Sequence, residues 1–167
     1  MKQSIERVVD LIGRAASWLA LVIVVLMAVN VVLRYSFSIG SVWAQELEWH
    51  LLVPLIMFGI PFALLKGEHV RVDVLFEKFA PRTQHLIDIV SQLLGLTIAA
   101  IFFCLCIGYV QQSFAIDEMS SDPGGLSHRW VLKSLLPLGF AVLALQSLAS
   151  LLGVVAKLRA LGRSAQP

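Results

Sequence analysis

The stretch that decides the fold is AASWLALVIVVLMAVNVVL, residues 15–33, which runs for 19 residues without a charged side chain. An α-helix needs about 20 predominantly apolar residues to cross about 30 Å of hydrocarbon, so this stretch predicts a membrane-spanning helix. Residues 89–116 and 134–156 are also free of charge and contain 28 and 23 residues. Uninterrupted apolar runs therefore predict three spans.

A fourth candidate span, residues 47–65, carries Glu48 and His50 in its first turn, and we expect both side chains in the headgroup layer. Of the 167 residues, 58% are hydrophobic and 14% are charged, whereas soluble domains are about 25% charged. The sequence thus predicts an all-α integral membrane protein with four transmembrane helices. No composition break indicates a separate soluble domain, so we expect residues 1–167 to form a single membrane domain.

The distribution of lysine and arginine predicts the orientation of the helices. Ten of these residues lie in the two terminal tails and the middle loop, and three lie in the other two loops. Because cytoplasmic loops carry the excess of lysine and arginine, we expect both termini and the middle loop in the cytoplasm. The first and third loops are then expected to face the periplasm or the cell exterior.

Two segments on the expected cytoplasmic side have the periodicity of amphipathic helices. The first precedes the first span, and its apolar residues are Ile5, Val8, Val9 and Ile12. The second lies in the middle loop, and its apolar residues are Val72, Leu75, Phe76 and Phe79. Each pattern predicts a short interfacial helix, which lies either along the inner leaflet or against a partner's cytoplasmic loops.

The polar residues within the spans indicate packing between helices rather than a transport or catalytic site. No ionisable side chain lies near the middle of a span, where a transporter that works alone usually carries one. The pairs Gly95/Ala99 and Ala149/Gly153 have the spacing that lets helix backbones approach each other. The four histidines lie at or beyond the span ends, which disfavours a haem or metal site. We predict no catalytic residue, metal or cofactor, and no basic block indicates a nucleic-acid partner.

The second span carries an unusual stripe on one helical face. Its members are Glu46, His50, Pro54, Met57 and Pro61, which follow one another at steps of three or four residues. Two interpretations remain open, because internal prolines bend helices. The stripe belongs either to a bent helix inside the bundle or to a shaped face that docks another membrane protein.

The segments between the spans carry the most specific motifs. Arg34 and Tyr35 follow the first span, and the run WAQELE, residues 43–48, leads into the second. The run KGEHVRVDVL, residues 66–75, follows the second span, and the third loop contains DPGGLSHRW, residues 122–130. This order resembles the small membrane subunit of tripartite ATP-independent periplasmic (TRAP) transporters, and the resemblance extends over about residues 5–155.

The resemblance implies a non-catalytic subunit of the bacterial inner membrane. Such a subunit binds a large membrane subunit that carries the substrate and sodium sites. A periplasmic solute-binding protein delivers an organic acid to the pair, and membrane lipid surrounds it. Two other classes stay open as alternatives: a membrane anchor of a redox complex, and a small self-contained transporter.

The candidate partner or structural contacts come from the same segments. They are Arg34, Tyr35, Trp43, Glu46, Glu48, His50, Glu68, His69, Arg71, Asp73, Asp122, Arg129, Trp130 and Lys133. Arg34 either pairs with Glu46 or Glu48 or is a separately solvated charge, and we expect the aromatic residues to anchor at the membrane interface. Pro123 and Gly124 suit the central positions of a type II turn. The third loop either meets the solute-binding protein or caps the bundle.

Overall fold

The computed structural model describes residues 2–68, 76 and 78–163. It contains four long α-helices: α1 (Lys2–Phe37), α2 (Val42–Lys66), α3 (Pro81–Ala115) and α4 (Trp130–Arg163). Each of them is long and apolar enough to cross a membrane, and the described residues form no strand. The prediction of an all-α fold with four helices of spanning length is confirmed, and every helix is longer than its predicted span.

Helix α1 is buried along one narrow seam. Its most buried side chains include Val9, Ala16, Ile23 and Asn30, which follow one another at intervals of seven residues. A seven-residue repeat keeps side chains in one line when two helices cross at a small left-handed angle. This seam packs on α2 and, less extensively, on α4, and the remaining apolar surface of α1 is exposed.

The amphipathic segment before the first span is continuous with that span. The structure therefore departs from the prediction of a separate short helix. Its contacts lie within the chain: Gly13 packs against the Phe62 ring, and Lys66 Nζ donates a 2.6 Å hydrogen bond to Asp10. Val9 is only 1% exposed, whereas Val8 is 54% exposed, so part of the apolar face of this segment packs on the bundle. Of the second predicted segment, Val72 and Leu75 lie outside the described residues.

Helix α2 begins and ends with recognisable caps. The Ser41 hydroxyl accepts a 3.3 Å hydrogen bond from the backbone N–H of Ala44, as expected of an N-cap serine. Gly67 ends the helix in the left-handed conformation, with φ at 75°, where glycine carries no steric cost.

The stripe on α2 faces the interior of the helix bundle. Glu46, Pro54 and Pro61 are buried, and His50 and Met57 are half-buried. A Cβ atom at Gly139 of α4 would lie 2.6 Å from the Met57 Cβ, so α2 and α4 approach closely at this point. The structure thus favours the interpretation of the stripe as part of the bundle interior over the docking interpretation.

Helix α4 is the central helix. It packs against all three others, whereas α3 makes its extensive contacts with α4 alone among the described helices. The seam between α3 and α4 is built from small and polar side chains: Ala99 and Ala149 are fully buried, and Gln92, Gln146 and Ser147 are at most 6% exposed. The small-residue spacing in the sequence predicts this close approach, which positions the loop between α3 and α4 above the start of α2.

Candidate functional site

The third loop, residues 116–129, is fastened to the start of α2 by one carboxylate. Glu46 lies in the second turn of α2 and is 4% exposed. Its Oε1 accepts a hydrogen bond from the Ser120 hydroxyl, and its Oε2 accepts a 2.6 Å hydrogen bond from the backbone N–H of Leu126. Hydrogen bonds to an ionised acceptor are roughly twice as strong as neutral ones, so Glu46 holds both branches of the loop.

The approach of the loop to Glu46 requires a glycine. A Cβ atom at Gly125 would lie 2.7 Å from Glu46 Oε2 and 2.6 Å from the Ser120 Cβ, which is closer than real Cβ atoms come. Across the loop, the N–H of Ser120 donates a 3.1 Å hydrogen bond to the carbonyl of Leu126. Gly125 thus lets the two branches close around the carboxylate.

The tip of the loop is the turn expected from the sequence. The N–H of Gly125 donates a 3.0 Å hydrogen bond to the carbonyl of Asp122, and Gly124 has a φ of 81°. These features define a type II turn with Pro123 and Gly124 at its centre. Asp122 itself is exposed, and its N–H donates a 3.2 Å hydrogen bond to the Ser120 hydroxyl.

A second attachment holds the base of the loop. Lys133 Nζ donates to the Glu118 carboxylate and lies 4.1 Å from the centre of the Tyr109 ring. The hydrogen bond from Lys133 holds the pKa of the Glu118 carboxyl below its usual range. The N–H of Arg129 donates a 2.9 Å hydrogen bond to the Glu118 carbonyl. We call Glu46, Ser120, Gly125, Leu126, Glu118 and Lys133 the third-loop clamp.

Two residues at the base of the loop adopt the left-handed backbone conformation. The φ of Asp117 is 44° and that of His128 is 58°, values that are uncommon for residues other than glycine. Their side chains are exposed, and His128 Nε2 lies 3.9 Å from Asp117 Oδ1. Asp and His adopt this conformation more readily than most other residues, and these two residues lie at the two ends of the loop.

Arg34 and Glu48 lie along a cleft between α1 and α2, near the same end of the bundle. The cleft has a volume of about 310 Å³, and Asn30 and Trp49 also line it. Asn30 Nδ2 donates a 3.2 Å hydrogen bond to Glu48 Oε1. The predicted ion pair of Arg34 with Glu46 or Glu48 is absent from the described residues, because these two carboxylates have the loop and Asn30 as partners instead.

The other predicted contacts are either exposed, or bonded or packed within the chain, or outside the described residues. Tyr35 and Trp43 are 82% and 49% exposed, and Trp130 packs edge-on against Phe114 with ring centres 5.2 Å apart. His50 Nδ1 donates a 2.7 Å hydrogen bond to the Glu46 carbonyl. Glu68 is exposed. The remaining three residues, His69, Arg71 and Asp73, lie outside the described residues.

Sequence reasoning missed several members of the site. Ser120, Gly125 and Leu126 are ordinary loop residues, and only the geometry shows that they surround Glu46. Asn30 is different, because a polar residue deep within an apolar span is typical of a hydrogen bond between helices. Within the part of the chain that the structure describes, no group of three or more His, Cys, Asp or Glu side chains is placed to hold a metal ion. The clamp is a set of structural hydrogen bonds that shapes a surface.

The sequence matches a family model described as the DctQ component of tripartite ATP-independent periplasmic transporters, and the match covers residues 23–157. The chain is also similar to a protein of Haemophilus influenzae named, provisionally, as a TRAP transporter small permease protein. The two are 32% identical over 89 residues, which make up 51% of this chain and 55% of the relative. The chain therefore spans about half the length of that relative.

Proposed function

The chain belongs to the DctQ component family of tripartite ATP-independent periplasmic transporters, and from this membership we propose that it binds and orients a large membrane subunit without taking part in catalysis. Family membership and four helices of spanning length make it a multi-pass membrane subunit of a transporter. The observation that carries the proposal is the family match, because it covers residues 23–157 and so includes α2, α3 and the whole third-loop clamp.

The finer parts of the proposal concern what the complex transports. The large subunit carries the sites for an organic acid and for the coupling ion, which we propose to be sodium, and a periplasmic solute-binding protein delivers the acid. The complex lies in the bacterial inner membrane, with both termini of this chain in the cytoplasm. The lysine and arginine distribution supports this orientation.

The surface of the chain supports a role in binding other membrane proteins. Within the most apolar 18-residue window of each helix, 6% of the residues of α1, α2 and α3 are buried, and 22% of those of α4. Such a chain leaves most of its apolar surface to lipid or to a partner. The polar residues of the α3–α4 seam are buried between these two helices, and Gln146 Nε2 donates a 3.1 Å hydrogen bond to Ser150 of the same helix, which supports packing rather than a transport path.

The third loop is the proposed contact with the solute-binding protein. Its tip is exposed at Ser121, Asp122 and Pro123, and the clamp fixes its shape before any partner arrives. A loop with a fixed shape loses little conformational entropy on binding.

The experiment that tests the proposal is purification of the tagged chain from native membranes in mild detergent, followed by mass spectrometry. We expect a much larger multi-pass protein at stoichiometric yield. Recovery of the chain alone, or with haem or redox subunits, would contradict the proposal. A second assay measures sodium-dependent uptake in vesicles, in which the large subunit and the solute-binding protein are present with and without this chain. Uptake is expected only with this chain.

A further inference from the structure

A positive and a negative side chain line one cleft without forming an ion pair with each other. Arg34 of α1 and Glu48 of α2 both line the cleft of about 310 Å³ between these two helices, which we call the α1–α2 cleft. Arg34 is exposed, and it has no ion-pair partner among the residues that the structure describes. Its guanidinium therefore keeps its hydrogen-bond donors available for a ligand.

The carboxylate of the cleft is held in place by α1. Asn30 Nδ2 donates a 3.2 Å hydrogen bond to Glu48 Oε1. An ionised carboxylate has two oxygens and accepts up to about four hydrogen bonds, so this bond fixes the position of Glu48 and leaves acceptor capacity unused. The cleft thus presents an available cation and a fixed anion.

A charged cleft at the opposite end of α1 shows the contrasting arrangement. It has a volume of about 480 Å³, and Asp10, Arg14 and Lys66 are among the residues that line it. There the opposite charges bond to each other, because the Asp10 carboxylate lies 2.8 Å from Arg14 Nε and 2.6 Å from Lys66 Nζ. The two charges of the α1–α2 cleft form no such pair, so each of them can bind a group from outside the chain.

The α1–α2 cleft lies at the level of the lipid headgroups. Arg34 directly follows the uncharged run of the first span, and Glu48 lies in the first turn of the second span. Tyr35 and Trp49 also line the cleft and are 82% and 61% exposed. Such amphipathic rings are enriched at the membrane–water interface. The groups that the cleft meets at this level are therefore the phosphates and ammonium groups of phospholipids.

The cleft continues from the charged side chains toward the membrane interior. Val31 and Met27 line it one and two helical turns before Arg34, and they are 53% and 48% exposed. A ligand with a charged head and a hydrocarbon chain matches both parts of the cleft, whereas a soluble ion matches only the charged part. The lining therefore favours an amphiphile.

We propose that the α1–α2 cleft binds one phospholipid with an ethanolamine headgroup, with the phosphate on Arg34, the ammonium on Glu48 and an acyl chain along Val31 and Met27. Arginine matches the geometry of a phosphate through its paired N–H donors. A carboxylate accepts charge-assisted hydrogen bonds from a primary ammonium. A choline headgroup lacks these N–H donors, and a glycerol headgroup lacks the cation. The inference does not depend on the proposed function, because it concerns this chain and lipid alone.

The first test uses the unmodified chain, so it does not depend on the folding of a variant. The tagged chain in detergent receives equimolar dioleoyl phosphatidylethanolamine and its N-acetyl derivative, and native mass spectrometry identifies the first lipid bound. The two lipids share their acyl chains and phosphate, but the derivative has no ammonium. We expect about tenfold more phosphatidylethanolamine than derivative. Equal binding of the two lipids would overturn the inference.

The second test assigns the lipid to the cleft. Arg34→Gln and Glu48→Gln each remove one charge, and Glu48→Gln keeps an acceptor for Asn30. Arg14→Gln is the matched control, because Arg14 lies at the other end of the first span and has Asp10 as its partner. We expect binding of phosphatidylethanolamine to fall about tenfold in both cleft variants and to stay within about twofold of wild type in the control. The same binding by all three variants would contradict the site.

The third test asks whether lipid or a protein occupies the cleft in native membranes. Phosphatidylethanolamine or phosphatidylglycerol with the same diazirine-labelled acyl chain is added, and the adducts are located by mass spectrometry after irradiation. We expect labelling of residues 27–31 to be several-fold greater with the ethanolamine lipid. Ile98 and Leu105 of α3, which are 50% and 64% exposed, should be labelled equally by both lipids. Absent labelling of residues 27–31 would show that a protein covers the cleft, and equal labelling by both lipids would show no headgroup preference; either result would overturn the inference.

Discussion

At the scale of single residues, Glu46 has the strongest structural role in this chain. Its neighbour in the motif, Glu48, bonds to Asn30 of α1, whereas Glu46 bonds to a loop that is 74 and 80 residues away in sequence. The two acids of the WAQELE run thus point to different partners. Glu48 joins α2 to α1, and Glu46 joins α2 to the third loop.

Replacement of Glu46 by alanine is expected to release the third loop. The variant leaves the Ser120 hydroxyl and the Leu126 N–H without their acceptor, and a lost charge-assisted hydrogen bond is expensive in a buried site. Hydrogen exchange of residues 118–129 in detergent should accelerate by about tenfold or more. Glu48→Ala is the matched control, because Glu48 is only two residues away and lies on the other side of α2. Unchanged exchange in Glu46→Ala would show that the loop holds its shape without the carboxylate.

Gly125 should tolerate no side chain. In Gly125→Ala the new methyl group overlaps Glu46 Oε2 and Ser120, so the loop has to move away from α2. We expect faster proteolysis within the loop than in the wild-type chain. Gly40→Ala is the control, because a Cβ atom at Gly40 meets nothing within 4 Å. Similar proteolysis of both variants would contradict the close approach.

Acidification should loosen the base of the third loop. The hydrogen bond from Lys133 lowers the pKa of Glu118 in the folded protein, so the pair contributes its full stability above the usual glutamate pKa of about 4.3. That contribution is lost as the pH falls through the lowered pKa. Proteolysis of the loop as a function of pH should therefore show an acid transition that is reduced in Glu118→Gln. An identical acid transition in Glu118→Gln would show that a titrating group other than Glu118 causes the transition.

At the scale of the helices, Asn30 is the polar member of an otherwise apolar seam on α1. Its hydrogen bond to Glu48 fixes the register of α1 against α2. Interhelical hydrogen bonds in membrane proteins contribute about 0.6 kcal/mol on average, so Asn30→Leu should lower stability by a similar amount in a detergent unfolding titration. Glu48→Gln keeps an acceptor for Asn30 and should change stability less. Greater stability of Asn30→Leu would indicate that apolar packing dominates this seam.

The sequence predicts the helices better than it predicts their contacts. Long apolar runs are local features, and they locate α1, α3 and α4 without any knowledge of packing. The extension of α1 through residues 2–14 is harder to foresee, because the same amphipathic pattern suits a membrane surface or a neighbouring helix. The structure favours the neighbouring helix, because Phe62 of α2 packs against Gly13 and Lys66 of α2 donates a hydrogen bond to Asp10.

The site shows the same division between local and distant information. The type II turn at Pro123 and Gly124 depends on two adjacent residues and is predicted correctly. The bond between Glu46 and Ser120 depends on how two helical hairpins are arranged, and no local pattern records that arrangement. Arg34 illustrates the difficulty, since charge complementarity suggests a carboxylate partner, whereas Glu46 bonds to Ser120 and Leu126 of the third loop and Glu48 bonds to Asn30.

At the scale of the whole molecule, the orientation in the membrane is a prediction that labelling can check. In a Cys104→Ser/Cys106→Ser background, Asp122→Cys should react with a membrane-impermeant maleimide added to intact spheroplasts. Lys157→Cys should react only after the membrane is opened, because the lysine and arginine excess predicts that this end is cytoplasmic. The reverse pattern would overturn the proposed orientation without affecting the fold.

The clamp between Glu46 and the third loop also has a consequence for how the protein is made. The ribosome synthesises Glu46 74 residues before Ser120 and 80 residues before Leu126, and at about 5–20 residues per second the acceptor waits about 4–16 s for its donors. During that interval Glu46 has neither of its two donors, because they have not yet been synthesised. The clamp can close only after the third loop has been synthesised, so the link between α2 and this loop is a late step in the folding of the chain.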